Sequence, residues 1–165
     1  NLINHKLIKM KKTLFIFLLT IPTLTFCQKS AGLLSQVDDL SGVAVELDSD
    51  YQSNNHTMWD KTLSDDAIVY FNNSKMDGKT IKEFFKSHHT IFNNIEIVDR
   101  YAHTNYFKTG ETWTNKWFTW EGTGNKTGVR FSNRTHFDLK WENGKIVEMQ
   151  IFADTTGLNM ELAAQ

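Results

Sequence analysis

The stretch Gly128–Gly157 constrains the fold more than any other part of the chain. Within Arg130–Trp141, apolar and polar side chains alternate, and successive side chains of a strand point to opposite faces of a sheet. Glu142-Asn143-Gly144 then supplies residues that tolerate a positive φ, and Lys145–Phe152 continues as a second, apolar strand. The pattern predicts a long antiparallel hairpin.

The two faces of the first hairpin strand differ, and two interpretations of them are open. One face carries an apolar set: Phe131, Phe137, Leu139 and Trp141. The other face carries a polar set: Arg130, Ser132, Arg134, His136 and Asp138. In the simpler interpretation the apolar set is core and the polar set is solvated. In the alternative, the polar set lines an internal cavity.

The composition is typical of one domain. The chain has 165 residues, of which 40% are apolar, enough for a single core. The net charge of −1 gives no general attraction to nucleic acid or to an anionic membrane. The aromatic share of 13% is high, which is typical of a well-filled core or of an apolar pocket. The sequence shows no phosphate loop, nucleophile elbow or basic aromatic platform.

The N-terminal pattern predicts an export signal. Lys11-Lys12 precede the apolar run Leu14–Phe26, which is too short to span a bilayer and has the length of a signal-peptide core. Met10 is the expected start, which makes the nine preceding residues upstream sequence. Cleavage is expected near Phe26–Lys29, so residues 1–27 are assigned to upstream sequence and signal.

A lipid anchor at Cys27 is the less favoured alternative, because the residue before a lipidated cysteine is normally small and Phe26 is large. After cleavage no cysteine remains, which excludes disulfides, thiol catalysis and cysteine-based metal sites. The sequence therefore predicts a periplasmic or secreted protein that has no membrane contact after cleavage. Its single domain covers residues 28–165.

Three helices are predicted ahead of the long strands. Apolar residues spaced alternately by four and three indicate an amphipathic helix over Ala31–Gln52, with Tyr51 in its last turn. The members of that stripe are Leu33, Val37, Leu40, Ala44, Leu47 and Tyr51. Thr57 is the expected cap of a short second helix, and Thr80 with Glu83 forms a capping box for a third. The stripe of the third helix is Ile81, Phe84, Phe85, His88, Ile91 and Phe92.

The predicted strands complete an α+β order. A short strand over Ala67–Phe71 and a loop over Asn72–Gly78 lie between the second and third helices. Alternating segments over Ile95–Phe107 and Glu111–Trp120 then precede the hairpin. The order of helix, helix, strand, helix and four antiparallel strands predicts helices on one face of a curved sheet.

This order resembles the nuclear-transport-factor-2-like superfamily, and within it the SnoaL-like branch, which includes polyketide cyclases and is related to ketosteroid isomerases. The supporting motifs are Asp65-Asp66-Ala67, Asp77-Gly78 and Glu142–Ile146, and the resemblance covers roughly Leu33–Leu162. It implies a cone in which a curved antiparallel sheet wraps three N-terminal helices around an internal pocket. Members include isomerases, cyclases, dehydratases, epoxide hydrolases and binding modules without chemistry.

The resemblance points to two candidate catalytic residues. The pocket acid of the isomerases, eight residues before the Gly of the Gly-Lys turn, corresponds to His136, whose ordinary pKa suits acid–base chemistry. The acid of SnoaL-like cyclases beyond the last strand corresponds to Asp154, which precedes Gly157-Leu158. Asp154 is then a base whose pKa is raised by burial, or a carboxylate that orients His136. The isomerase general base corresponds to Phe71, which cannot take a proton.

The alternative roles of these and neighbouring residues are structural. His136 is otherwise an ordinary surface or pocket histidine, and Asp154 an acid in a turn. Arg134 shares a face with His136 and suits an anionic or enolate-like group, or else pairs with Asp138. His88 lies on an apolar helix stripe, where it is either a core residue or part of the pocket floor.

Three further residues complete the expected substrate contacts. The first-helix tyrosine of the isomerases falls near Leu47, with Tyr51 one turn later. Met149 and Ile151 in the last strand are expected to contact a ligand in the pocket. The histidines are scattered over different elements, so neither a metal site nor a cofactor is predicted.

Two functions follow from these residues. The first is cofactor-independent proton transfer of the isomerase, cyclase or dehydratase type, with His136 as acid or base, Asp154 as its partner and Arg134 orienting the substrate. The second is a binding module without turnover. Both enclose a small, largely apolar organic molecule.

The expected assembly is a homodimer through the outer face of the sheet. If Arg134 and His136 face the cavity, the apolar set of the hairpin faces outward, and an exposed aromatic patch is typical of an interface. Two further rows of aromatic side chains could line the pocket or form the dimer interface, and the sequence does not decide between these roles. They are Tyr101 with His103, and Trp113 with Trp117.

Overall fold

A computed structural model describes residues 31–164. The predicted export signal and Cys27 lie outside these residues. Within them, no helix is both long and apolar enough to cross a membrane.

Residues 31–164 form four helices and seven strands. The helices are α1 Asp39–Gln52, α2 Thr57–Thr62, α3 Gly78–Ile91 and α4 Thr156–Ala163. The strands are β1 Gly32–Ser35, β2 Leu63–Phe71, β3 Ser74–Asp77, β4 Phe92–Phe107, β5 Thr112–Gly124, β6 Arg130–Glu142 and β7 Lys145–Phe152. They join in one sheet in the order β1-β4-β5-β6-β7-β2-β3, with β2 and β7 parallel and the other neighbours antiparallel. The α+β architecture is confirmed, with a mixed sheet and a fourth helix after the last strand.

The predicted hairpin is confirmed as β6 and β7. The two strands pair antiparallel, with His136 opposite Phe152 and Glu142 opposite Lys145. Asn143 and Gly144 form the turn with φ values of 50° and 75°, the left-handed conformations that these residue types tolerate.

The first helix begins later than predicted, because Asp38 provides its cap. The carboxylate of Asp38 accepts hydrogen bonds from the backbone N–H of Ser41 at 2.7 Å and from the hydroxyls of Thr104 at 3.0 Å and Tyr106 at 2.7 Å. These contacts tie the start of α1 to β4. The preceding residues instead form β1, and Leu33 and Val37 are exposed rather than part of a buried stripe.

The other two predicted caps also differ from the structure. In α2 the cap position is His56, whose side chain makes no capping hydrogen bond, and Thr57 is the first helical residue; the side chain of Asn55 accepts from the N–H of Thr57 at 3.1 Å. In α3 the carboxylate of Asp77 accepts from the N–H of Thr80 at 2.7 Å. Asp77 also ends β3, a short strand within the segment predicted as a loop.

The apolar set of β6 faces the helices and fills the core. Phe137, Leu139 and Trp141 are buried, while Arg134 is exposed on the opposite face. The simpler interpretation of the hairpin is therefore correct, because burying the charged face of this strand would cost far more free energy than burying its aromatic face. The expectation that the apolar set faces outward is wrong.

The C-terminal helix is held against the β5–β6 turn by a buried carboxylate. Glu161 accepts hydrogen bonds from the backbone N–H groups of Lys126 and, at 3.1 Å, of Thr127. Burial raises the pKa of Glu161, but these hydrogen bonds lower it by more, so the net pKa lies below its ordinary value. These hydrogen bonds hold α4 against the turn between β5 and β6.

Candidate active site

A cavity of about 210 Å³ lies between the helices and the inner face of the sheet. Most of its wall is aromatic. The aromatic lining residues are Tyr51, Trp59, Phe71, Phe84, Phe85, His88, Phe92, Phe118, Trp120, Phe131 and Phe137. The polar lining residues are Asp48, Ser132, Asn133, Thr135, Asp154, Thr155 and Thr156. Such a wall suits an apolar ligand that carries few polar groups.

Three polar side chains meet inside this aromatic wall. The hydroxyl of Tyr51 lies 2.7 Å from Nδ1 of His88, and Nε1 of Trp120 lies 2.9 Å from the same hydroxyl. Tyr51 comes from the last turn of α1, His88 from the last turn of α3 and Trp120 from β5. The chain thus brings together residues from three separate elements.

The hydrogen-bond pattern assigns the tautomer of His88. An indole N–H can only donate, so Trp120 donates to the hydroxyl oxygen of Tyr51. The phenol hydrogen then goes to Nδ1 of His88, and a neutral imidazole that accepts at Nδ1 carries its proton on Nε2. Among residues 31–164, Nε2 of His88 has no hydrogen-bond partner. Every fully buried polar side-chain atom of these residues does have a partner, so Nε2 is not fully buried. The Nε2–H is therefore open to the cavity.

Burial keeps both partners uncharged at neutral pH. It lowers the pKa of His88 from 6.5 to about 4, with a smaller contribution from the charge of His89. It raises the pKa of Tyr51 well above 10, although the hydrogen bond from Trp120 opposes this shift. The cavity therefore contains a neutral, fixed imidazole donor.

A missing side chain sets the position of the Trp120 indole. A Cβ atom on Gly122 would lie 2.5 Å from the Trp120 ring, so the indole occupies space that any other residue at 122 would fill. Phe92 packs against the same indole with ring centroids 5.0 Å apart. These contacts aim the indole N–H at Tyr51.

A buried ion pair adjoins the cavity. Asp48 lies one turn before Tyr51 on α1, lines the cavity and pairs with Lys116 of β5. Lys116 is 1% exposed, and its Nζ lies 4.8 Å from the ring centroid of Phe137 and 5.2 Å from that of Phe118. Burial lowers the pKa of Lys116, while the charge of Asp48 opposes that shift.

The mouth of the cavity is formed by the segment after β7. Asp154 is exposed, and its carboxylate accepts from the backbone N–H of Thr156 at 2.8 Å. This contact lowers the pKa of Asp154, so the expected rise through burial is wrong. A Cβ on Gly157 would lie 2.7 Å from the Phe131 ring, so glycine allows the segment to approach β6.

The structure places His136 and Arg134 away from the cavity, on the outer face of β6. His136 Nε2 lies 2.8 Å from the carboxylate of Asp138, and its ring packs against Trp117 at a tilt of 30°, with centroids 3.9 Å apart. Arg134 donates to the backbone carbonyl of Asp99 at 3.1 Å. The predicted pairing of His136 with Asp154 is therefore wrong.

A single step along the strand explains this error. Thr135 and Phe137, the two neighbours of His136, both line the cavity. Because strand side chains alternate, a transfer that is one residue out of register moves a side chain to the other face of the sheet. Phe71 does line the cavity, where the resemblance puts the isomerase base.

The remaining predicted residues divide between wall and core. Tyr51, His88, Ile151 and Asp154 line the cavity, whereas Met149 is fully buried in the core beside it. Their roles toward a ligand remain predictions.

The sequence analysis missed Asp48, Lys116 and Trp120. A signal was present, because Asp48 falls on the apolar stripe of α1 and Lys116 alternates with the buried Thr114 and Phe118 of β5. An acid and a base on two inward faces indicate a buried pair. Within residues 31–164, no cluster of three or more His, Cys, Asp or Glu side chains is arranged to hold a metal ion.

The sequence matches no protein-family model and no curated protein. Solved structures do match its fold. A candidate polyketide cyclase from Pseudomonas putida is 11% identical with a TM-score of 0.61, over 73% of this chain and 96% of that one. IdmH, a candidate polyketide cyclase from Streptomyces antibioticus, is 15% identical with a TM-score of 0.57, over 77% and 100% of the two chains. A candidate SnoaL-like polyketide cyclase from Shewanella putrefaciens is 16% identical with a TM-score of 0.54, over 78% and 99%.

Proposed function

We propose that this domain, which has the fold of the SnoaL-like polyketide cyclases, encloses a small, largely apolar organic molecule and catalyses cofactor-independent proton transfer next to a carbonyl group of that molecule. The descriptions of similar structures as candidate cyclases support this class of chemistry. The basic and apolar N-terminal pattern of the sequence supports action outside the cytoplasm.

The cavity supports a ligand of one ring or a short chain. Its volume of about 210 Å³ exceeds the roughly 150 Å³ of an engineered cavity that binds benzene. It is smaller than the roughly 300–1,000 Å³ of sites that hold drug-sized ligands. An aromatic ketone such as acetophenone matches both the size and the wall, because it places one acceptor oxygen on an otherwise apolar body.

The observation that carries the proposal is the Nε2–H of His88, which has its tautomer fixed by Tyr51 and points to a cavity lined by aromatic rings. A carbonyl oxygen is the group that such a donor recognises. When a proton leaves the neighbouring carbon, negative charge develops on that oxygen, and a fixed donor in a dry site stabilises it without reorganisation. Because burial lowers the pKa of His88 to about 4, the imidazole does not take up a second proton at neutral pH, and Nδ1 stays free to accept from Tyr51.

Hydrogen–deuterium exchange of acetophenone tests this proposal. In D₂O at neutral pH, the wild-type protein should exchange the methyl protons faster than buffer does, as followed by NMR. His88→Phe removes the donor and should slow the catalysed exchange on the order of 100-fold, since loss of one such donor costs about that factor. His89→Phe is the matched control: Nε2 of His89 contacts the carbonyl oxygen of Tyr51 at 2.8 Å, and His89 is not among the cavity-lining residues.

The same assay separates the enzyme from a binding module. Trp59 and Trp120 line the cavity, so quenching of tryptophan fluorescence reports ligand binding independently of turnover. Binding of acetophenone and cyclohexanone without accelerated exchange of either ketone would contradict catalysis and support the non-catalytic module.

A further inference from the structure

The cavity contains a second polar group beyond the His88 donor, the carboxylate of Asp48. Of the described residues that line the cavity, two are carboxylic acids, Asp48 and Asp154. Asp48 is 4% exposed, whereas Asp154 is exposed at the mouth, where the N–H of Thr156 holds it. The buried carboxylate is the one that an enclosed ligand would meet in a dry environment.

Asp48 lines the same cavity as His88 and shares a face of α1 with Tyr51, the partner of His88. Asp48 and Tyr51 are three residues apart on α1, which puts them on one face with their Cβ atoms about 5–6 Å apart. Tyr51 in turn contacts His88. A ligand that occupies the cavity is therefore bounded by both the His88 imidazole and the Asp48 carboxylate.

The partner of Asp48 is the buried ammonium group of Lys116. Lys116 Nζ contacts the Asp48 carboxylate, lies 3.4 Å from the backbone oxygen of Ala44 and sits over the rings of Trp59 and Phe137. Removing one partner of such a pair leaves an uncompensated buried charge. The positive charge is thus held beside Asp48, next to the cavity.

We propose, resting on the function above, that Asp48 accepts the carbon-bound proton and that Lys116 remains charged to balance the negative charge as it moves from Asp48 to the ligand oxygen. The C–H bond breaks, its electron pair forms the C=C bond of an enolate, and an O–H bond forms on Asp48. The enolate oxygen accepts a hydrogen bond from His88. The protonated Asp48 exchanges its proton for a deuteron from D₂O, and transfer of that deuteron to carbon regenerates the ketone and the carboxylate, with no change of oxidation state.

Lys116 is a positioning residue in this step, because it does not line the cavity and acts through Asp48. The ammonium group of Lys116 balances the negative charge of the site before and after the proton transfer. Before the transfer, the ammonium is paired with the carboxylate; afterwards it faces a neutral acid and an enolate held in the same site. The transfer therefore moves one negative charge within the field of a fixed cation rather than creating a new buried charge.

The first test compares two aspartates of the same helix. Asp48→Asn should slow acetophenone exchange at least about 100-fold, the scale of a lost general base, while fluorescence quenching by the ketone stays within about threefold of wild type. Asp50→Asn is the matched control, because Asp50 is buried on α1 but contacts the N–H of Met58 instead of the cavity. Exchange by Asp48→Asn at the wild-type rate would overturn the assignment.

The second test measures the pH profile of exchange. Lys116→Met removes the cation from a buried carboxylate, so the acidic limb of the profile should move to higher pH by at least about one unit. Lys116→Arg keeps the charge and should leave the limb near its wild-type position. An unchanged limb in Lys116→Met would contradict the positioning role. If Lys116→Met does not fold, a limb shifted by a unit or more in folded Lys116→Arg would contradict it equally.

The outcomes separate this inference from the proposed function. Loss of exchange in His88→Phe together with wild-type exchange in Asp48→Asn would remove Asp48 and leave the carbonyl-polarising role of His88 standing. Absence of exchange in the wild-type protein would remove both.

Discussion

The hydroxyl of Tyr51 lies 2.7 Å from Nδ1 of His88, and this contact fixes which nitrogen of the imidazole faces the cavity. The two residues are 37 positions apart, on the last turns of α1 and α3. Trp120 donates to the same hydroxyl at 2.9 Å, which commits the phenol hydrogen to the histidine. The chemistry proposed for the cavity depends on this arrangement.

Replacing Tyr51 by Phe should therefore affect both stability and exchange. The change leaves the indole N–H of Trp120 and Nδ1 of His88 without a partner, which costs roughly 1–3 kcal/mol in free energy of unfolding. It also releases the tautomer of His88, so the catalysed exchange of acetophenone should fall about 10-fold or more. Urea unfolding and the NMR exchange assay measure the two effects. Tyr70→Phe, on an exposed ring, serves as control, and equal behaviour of the two variants would contradict the role of Tyr51.

The stability of the protein should depend on pH through His88. Its pKa is about 4 in the folded protein and 6.5 ordinarily, so the unfolded chain binds the proton more readily between these values. The contribution is complete above pH 6.5 and declines as pH falls toward 4, by roughly 3 kcal/mol in total. In His88→Gln this part of the decline should disappear. Denaturant unfolding at pH 4.5 and 7 measures the slope, and a slope equal to that of wild type would contradict the burial of the imidazole.

The outer face of the sheet leads to an expectation about assembly. Tyr101, Trp117, His136 and Phe152 lie opposite one another on adjacent strands and form an aromatic row, with Tyr101 48% and Phe152 51% exposed. A two-fold axis that runs along this row would stack the row of one copy on the same row of the other. Arg134 lies two residues before His136 and Asp138 two residues after it, so the axis would bring Arg134 of each copy opposite Asp138 of the other. The predicted homodimer is thus expected to use this face, not the apolar set of β6.

Sedimentation at micromolar concentration measures this assembly. The wild-type protein is expected to be a dimer, Arg134→Asp a monomer, and Arg134→Asp combined with Asp138→Arg a dimer again. A monomeric wild-type protein would contradict a second copy as the occupant of this face.

Much of the fold was predictable because buried and exposed residues alternate along most of each long strand, although β4 has two irregularities. The four long strands and the Asn143-Gly144 turn follow from that alternation alone. The short strands β1 and β3 were missed, since four residues carry too little periodic signal. The start of α1 was misplaced because its cap, Asp38, is fixed by Thr104 and Tyr106, which are distant in sequence.

The site was predictable in part, for a related reason. Tyr51 and His88 could be placed because helix stripes show which side chains face inward. His136 was placed on the wrong face because its position came from a transferred offset, and an error of one residue in a strand reverses the face. The pair of Asp48 and Lys116 joins elements 68 residues apart, so its two halves are visible in the sequence but their contact is not.

The central claim is that His88, neutral and protonated on Nε2, presents its N–H to a ligand in the cavity. Nitrogen-15 NMR of the histidine side chains, assigned with His88→Gln and with His136→Gln as control, measures this directly. The account predicts an Nε2-protonated signal from His88 that does not titrate between pH 5 and 8 and that shifts when acetophenone is added. A signal that titrates near pH 6.5, or that acetophenone leaves unchanged at a concentration that quenches tryptophan fluorescence, would contradict it.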